Sequence, residues 1–276
     1  MLKQRVITAV ALLALLAVVL GSGSLLAFHL TLAIFFGAAC WEALRLFDVR
    51  RALPLALVAA VLLPWLADRA PAEWVPLAGL CVLLWTLRFL PALKFGLPPT
   101  GGARGGLFTA IYLLALFGCF ISIAALWQRS TLFVVSAMAI VWVADIGAYF
   151  AGRALGRHKL APAISPGKTW EGVVGGMLAV ILLAGGAALT PALAASFPAQ
   201  LLNAYGWTLW VMMICAMVAA SVVGDLFESM MKRRAGIKDS SALLPGHGGV
   251  LDRIDALIPS MPLAFLLSSQ MATPFQ

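Results

Sequence analysis

Leu107-Phe-Thr-Ala-Ile-Tyr-Leu-Leu-Ala-Leu-Phe-Gly-Cys-Phe-Ile-Ser-Ile-Ala-Ala-Leu126 runs for 20 residues without a charge. That is the length at which a helix crosses the hydrocarbon core of a bilayer. Eight further apolar runs resemble it: Val6–Leu20, Leu25–Leu44, Leu53–Ala67, Trp74–Leu87, Thr131–Phe150, Val173–Leu193, Trp207–Leu226 and Val250–Leu267. Lipid satisfies no backbone hydrogen bonds, so a spanning segment must be a helix or a strand of a closed barrel. These runs lack the apolar–polar alternation of barrel strands. The expected fold is therefore all-α, a polytopic integral membrane protein of about nine transmembrane helices. Composition agrees: mean hydropathy is +1.01, with 63% hydrophobic and 11% charged residues in 276. Such values exclude an ordinary soluble domain.

Cations set the expected orientation, because Lys and Arg collect in cytoplasmic connections. With Lys3 and Arg5 placed inside, the even-numbered connections hold Arg45, Arg50 and Arg51; Arg88, Lys94 and Arg104; Arg153, Arg157, Lys159 and Lys168; and Lys232, Arg233, Arg234 and Lys238. Arg253 starts the last span on the same side. Of the 19 Lys and Arg, 17 then face the cytoplasm, and only Arg69 and Arg129 face away. The net charge of +8 thus describes a cationic cytoplasmic face suited to anionic headgroups and nucleotides. Nucleic acid is a poor partner, since no soluble basic domain is present. Lys3, Arg5, the short first run and the small residues Gly21–Ser24 also fit a signal peptide. Cys40, Cys81, Cys119 and Cys215 stand alone in apolar runs and read as buried hydrophobes. Residues 1–126 are poor in motifs and read as a transmembrane scaffold; residues 127–276 carry the chemistry.

Three segments of that second region stand out. In the first, Asp145 sits late in an apolar run, with Tyr149, Gly152, Arg153 and Gly156 following at helical spacing. The glycines fit close helix packing as well as ligand access, but packing does not explain the acid. The second, Ser165-Pro-Gly-Lys168-Thr169-Trp-Glu171-Gly172, has phosphate-loop ingredients without the Walker spacing. It reads as a Pro-Gly turn entering a helix. Such a turn can present N–H groups, hydroxyls and an ammonium to phosphate, or simply cap the helix.

The third segment runs from Asp225 to Asp255. Asp225, Glu228, Ser229 and Lys232 share one helical face. Asp252 and Asp255 lie one turn apart on the next helix. A short loop joins the two, so carboxylates face each other and need a cation between them. Mg²⁺ held by one or two carboxylates and substrate phosphates is the usual arrangement. Lys232, Arg233, Lys238 and Arg253 would then meet phosphate oxygens, and Gly248-Gly249 would admit backbone approach. The bland alternative is a web of structural ion pairs.

Ser229-x-x-Lys232-Arg233-x₄-Lys238-Asp239, followed by Pro245-x-His247-Gly-Gly-x-x-Asp252-Arg253-x-Asp255, closely resembles the signature of the CDP-diacylglycerol synthases, or phosphatidate cytidylyltransferases. The Asp145 and Ser165 segments look like further motifs of that family, and the resemblance covers essentially the whole chain. It implies the reaction of CTP with phosphatidate to give CDP-diacylglycerol and pyrophosphate in bacterial phospholipid synthesis. It also implies Mg²⁺ dependence, a second cation such as K⁺, a homodimer, and a bacterial inner-membrane enzyme with its site facing the cytoplasm. Asp225 and Asp252 become the strongest metal-ligand candidates, with Asp145, Glu228 or Asp255 near the second cation. Lys168, Lys232, Arg233 and Lys238 would bind the triphosphate or the phosphatidate headgroup, assisted by Ser165, Thr169, Glu171, Tyr149, Arg153, Gly248, Gly249 and Arg253. His247 either donates to phosphate or shapes the Gly-rich turn. Two rival readings are a transporter or channel, which would hold its ions near the midplane, and a CTP-using enzyme acting on another lipid such as a polyprenol.

Overall fold

In a computed structural model the chain is described over residues 2–271 and is dominated by helices. They are α1 (Leu2–Ser22), α2 (Leu25–Leu46), α3 (Ala52–Ala67), α4 (Pro71–Leu84), α5 (Leu90–Phe95), α6 (Gly102–Trp127), α7 (Thr131–Leu155), α8 (Trp170–Ala188), α9 (Phe197–Arg234), α10 (Leu251–Ile254) and α11 (Leu257–Ser269). A π-helical turn, Trp85–Phe89, fuses α4 and α5 into one apolar rod, Pro71–Phe95. Among the described residues, six helices are long and apolar enough to cross a membrane: α2, the Pro71–Phe95 rod, α6, α7, α8 and α9. Val10–Ser22, α3 and α11 are apolar but shorter. The expected helical membrane architecture is thus present, with full-length spans fewer than the nine apolar runs of the sequence.

Three boundaries differ from the sequence reading for identifiable reasons. Helix α9 begins before Trp207, but Gly206 adopts φ 71° and ψ 172°, a left-handed break available to glycine. A short helix therefore precedes the long one, and the two are tied by Trp210 Nε1 donating to Pro198 O at 2.9 Å. The expected run Val250–Leu267 is divided into α10 and α11 at Asp255–Ala256. Last, the fold is not wholly helical. Lys159–Ala161 (β1) pairs antiparallel with Ser165–Thr169 (β2), in the register Lys159↔Thr169 and Ala161↔Ser165. Ser165 precedes a proline and is biased to extended backbone. The Pro-Gly segment is therefore a strand, and α8 starts only at Trp170, capped by Thr169 Oγ1 accepting from Gly172 N at 3.1 Å.

Packing then positions what these elements carry. Helices α7 and α8 approach so closely that a Cβ on Gly176 would lie 2.5 Å from Ala144 O. One on Gly156 would lie 2.2 Å from Gly152 O and 2.9 Å from Thr169 Oγ1. The glycines of the Asp145 segment thus serve close packing, and that packing holds the hairpin beside α7. Behind the site, Trp85 and Phe89 of the π turn meet Phe227 edge-on at 5.5 and 4.9 Å, and Tyr112 stacks on it at 5.5 Å. Aromatic contacts of this kind add about 0.5–1.5 kcal/mol each beyond area burial. The aromatic core of the N-terminal half therefore fixes the rotation of α9 about its axis. Ile146, Phe150, Leu178, Leu182 and Leu183 are exposed on α7 and α8, the pattern of a lipid-facing wall.

Candidate active site

Helix α9 presents the first part of the site. Asp225, Glu228, Ser229 and Lys232 do share a face: Ser229 Oγ donates to Asp225 Oδ1 at 3.4 Å, and Lys232 Nζ forms an ion pair with Glu228 Oε2 one turn away. The hairpin supplies the second part. Lys168 of β2 reaches across to pair with Asp225 Oδ2, with both side chains about a quarter to a third exposed. The third part comes from the loop after α9 and the short helix α10 that ends it. Asp252 Oδ1 accepts from Lys232 Nζ at 2.6 Å. Its Oδ2 accepts from Ser240 N at 2.8 Å, Ser240 Oγ at 2.9 Å and Gly249 N at 2.8 Å.

Lys232 is therefore a buried bridge. Its ammonium joins Glu228, whose side chain is 1% exposed, to Asp252, at 5%. Neither Glu228 oxygen has a partner at good hydrogen-bond geometry, so its contact with Lys232 is that of an ion pair. Asp252 precedes the apolar helix α11. Burial pushes its carboxyl upward, but the Lys232 ammonium and the Gly249 N–H outweigh burial and hold it down at about 2. Asp145 and Asp255 both lie within electrostatic reach of Asp225. For Asp255 the reason is a close helix crossing: a Cβ on Gly224 would lie 2.3 Å from Asp255 O and 2.8 Å from Pro259 Cδ. Only glycine lets α9 sit this near the start of α11.

Other residues singled out in the sequence have more local partners. Arg233 Nε donates to Ile164 O at 3.4 Å, tying α9 to the hairpin. Arg253 donates to His247 O through Nε at 3.0 Å and Nη2 at 2.5 Å, closing the Gly-rich turn, in which Gly248 has φ 82°. Glu171 accepts from Arg157 N and His158 N and meets His158 Nδ1 at 2.6 Å, which clasps the base of the hairpin. Tyr149 and Arg153 are exposed and bonded to each other, Tyr149 Oη accepting at 3.2 Å. Lys238 is exposed and, among the described residues, unpaired. Ser165 lies in β2, paired with Ala161. The structure thus gathers Lys168, Asp225, Ser229, Glu228, Lys232 and Asp252, with Asp145 and Asp255 nearby. It leaves Tyr149, Arg153 and Lys238 outside that contact network.

Such an arrangement suits binding of phosphate esters: two ammoniums, carboxylates with hard oxygens, and a Gly-rich turn at one end of the helices. Residues 3–270 match the Cytidylyltransferase family. The chain belongs to that family. It is 40% identical to a phosphatidate cytidylyltransferase of Pseudomonas aeruginosa over 277 residues, 95% of each chain. It is 51% identical to the Haemophilus influenzae enzyme of that name over 124 residues, covering 45% of this chain and 41% of the relative. The Bacillus subtilis enzyme is 39% identical over 158 residues, 57% of this chain and 55% of the relative.

One residue packed against this candidate site escaped the sequence reading. Glu42, near the C-terminal end of α2, is fully buried and accepts hydrogen bonds from the loop that follows α9. Its signal was available: it is the single acid of α2, and an ionisable group in an apolar helix needs a partner.

Proposed function

We propose that this chain transfers the cytidylyl group of CTP to phosphatidate in a bacterial membrane, releasing pyrophosphate and leaving CDP-diacylglycerol in the bilayer. The observation that carries the reading is the pair of lysine–carboxylate contacts, Lys168–Asp225 and Lys232–Asp252, in a chain that matches a phosphatidate cytidylyltransferase over 95% of its length. Both substrates are anionic phosphates, so the protein must align two anions and offset their charge. A phosphatidate oxygen attacks the α-phosphorus of CTP in line with the departing pyrophosphate. Phosphatidate is already ionised, so no strong general base is required. Lys168 and Lys232 exchange carboxylate for phosphate oxygens as CTP enters, and the ammoniums then stabilise charge moving toward pyrophosphate. Arg233, with its Nε on the hairpin, holds a guanidinium near the same edge.

The residues present fit Mg²⁺. Among the described residues no three His, Cys, Asp or Glu side chains converge as a closed metal cage, and Mg²⁺ ordinarily takes only one or two carboxylates together with substrate phosphates. Asp225 and Asp252 offer hard oxygens already facing cations. Asp225, about a third exposed, would hold it with Asp252, and Asp145, Glu228 or Asp255 would serve a second cation such as K⁺. A Mg²⁺ held there would supply positive charge to offset the triphosphate beyond what the lysines provide. The acyl chains never leave the bilayer, which accounts for a nucleotide-using enzyme made almost entirely of apolar helices. The working form proposed is a homodimer.

The test is pyrophosphate release by purified protein supplied with CTP, Mg²⁺ and phosphatidate, and then with polyprenols in its place. Release with phosphatidate alone is expected; release only with polyprenols would reassign the lipid. The site is proposed to face the cytoplasm, where CTP is. Single cysteines near Lys159 and Arg234 are accordingly expected to react only with a cytoplasmic label, and one in the 196–204 connection only from the other side. Labelling near Arg234 from outside would overturn the orientation.

A further inference from the structure

Glu42 lies in α2, about 200 positions from the loop it touches. Its Oε1 accepts from Ser241 Oγ at 2.5 Å and Val250 N at 3.0 Å. Its Oε2 accepts from Leu251 N at 2.6 Å and lies 3.2 Å from Ser240 Oγ. Ser240 Oγ is also 2.9 Å from Asp252 Oδ2, so one hydroxyl links the two carboxylates. A Cβ on Gly249 would lie 2.4 Å from Glu42 Oε1 and 2.0 Å from Ser240 Oγ, so the loop closes over Glu42 only with glycine there.

We infer that Glu42 is a positioning residue. Its buried carboxylate, ringed by Ser240, Ser241, Val250 and Leu251, holds the loop in the shape that aims Asp252 at Lys232 before CTP arrives. The inference rests on the reading of Asp252 and Lys232 as part of the CTP site. A carboxylate only accepts, which suits a ring of donors. Burying it without such donors would cost several kcal/mol. Each oxygen faces one serine hydroxyl, which can rotate, and one backbone N–H, which cannot. Glutamine keeps the shape but, in either orientation, turns its NH₂ toward Val250 N–H or Leu251 N–H. That clash loosens the loop without opening a cavity.

A loop that is ordered only part of the time weakens apparent affinity by the fraction of time it is competent, and bound substrate restores it. Glu42→Gln is therefore expected to raise KM for CTP by about tenfold or more, with kcat within about threefold of wild type. Amide hydrogen exchange across 240–251 should rise in the variant, and CTP with Mg²⁺ should reverse it. Unchanged loop exchange, or a fall in kcat at unchanged KM, would overturn the assignment. Ser241→Ala removes one donor from the same carboxylate without burying a new polar group, and decides the matter if Glu42→Gln does not fold. A rise of about threefold in KM for CTP is expected, since only one of the donors is lost. No rise would refute the proposal. The exchange readout does not depend on turnover, so wild-type protein inactive on phosphatidate would fault the functional reading and leave the role of Glu42 still decided by the loop.

Discussion

Asp225→Asn is expected to lower kcat/KM for CTP by about a hundredfold or more, the scale seen when a preorganised electrostatic group is removed from an active site. Expression and thermal stability should stay near wild type. Asp225 is about a third exposed and its partner Lys168 about a quarter, so losing the pair leaves an ammonium that water can solvate. Pairs of that kind contribute only about 0–1 kcal/mol to stability. Asparagine keeps the size and the contact with Ser229 while withdrawing the charge that a metal or Lys168 requires. The measurement is initial rate at saturating Mg²⁺ beside a melting curve. Retention of more than about a tenth of wild-type rate, a loss under ~1.4 kcal/mol, would argue against metal ligation by Asp225. Asp252→Asn is a different experiment. Asp252 is 5% exposed and accepts from Lys232, Ser240 and Gly249, so its amide would turn an NH₂ toward a donor and loosen the loop as well as the site.

The contrast between those two aspartates marks where sequence reasoning reached and where it stopped. Periodicity placed Asp225, Glu228, Ser229 and Lys232 on one face, and the contacts within α9 agree, because helical spacing is a local property. The apolar runs located the long helices for a similar reason: bilayer thickness sets their length. The hairpin was not legible. Ser165-Pro-Gly-Lys-Thr has the residues of a helix-entry turn, and its pairing with Lys159–Ala161 depends on α7 and α8 holding the two ends together. Glu42 was passed over because its partners are remote in sequence, and the N-terminal half offered no local motif around it. Which cation meets which carboxylate was equally hidden. Lys168 stands against Asp225, and Lys232 against both Glu228 and Asp252, pairings that no spacing announces.

Lys232 gives the sharpest separation between holding the fold and serving the reaction. Its removal leaves Glu228 and Asp252 buried side by side without a counterion, and breaking a buried pair from one side costs about 3–5 kcal/mol. Lys232→Met is thus expected to be the least stable of these variants and to be inactive. Adding Glu228→Gln removes the stranded charge and should restore much of the stability. It should not restore turnover, because the ammonium that meets phosphate is still missing. Recovery of CTP turnover in the double variant would show that Lys232 serves only to neutralise Glu228. Arg50→Ala supplies the control for general positive potential, since Arg50 is an exposed cation of the connection between α2 and α3. Lys232→Ala should lower kcat/KM for CTP by at least about tenfold at any ionic strength, whereas steering by overall charge fades within a Debye length as salt rises. Equal losses in Lys232→Ala and Arg50→Ala that vanish together in high salt would remove Lys232 from the site, and would leave the buried bridge it forms as a feature of the fold alone.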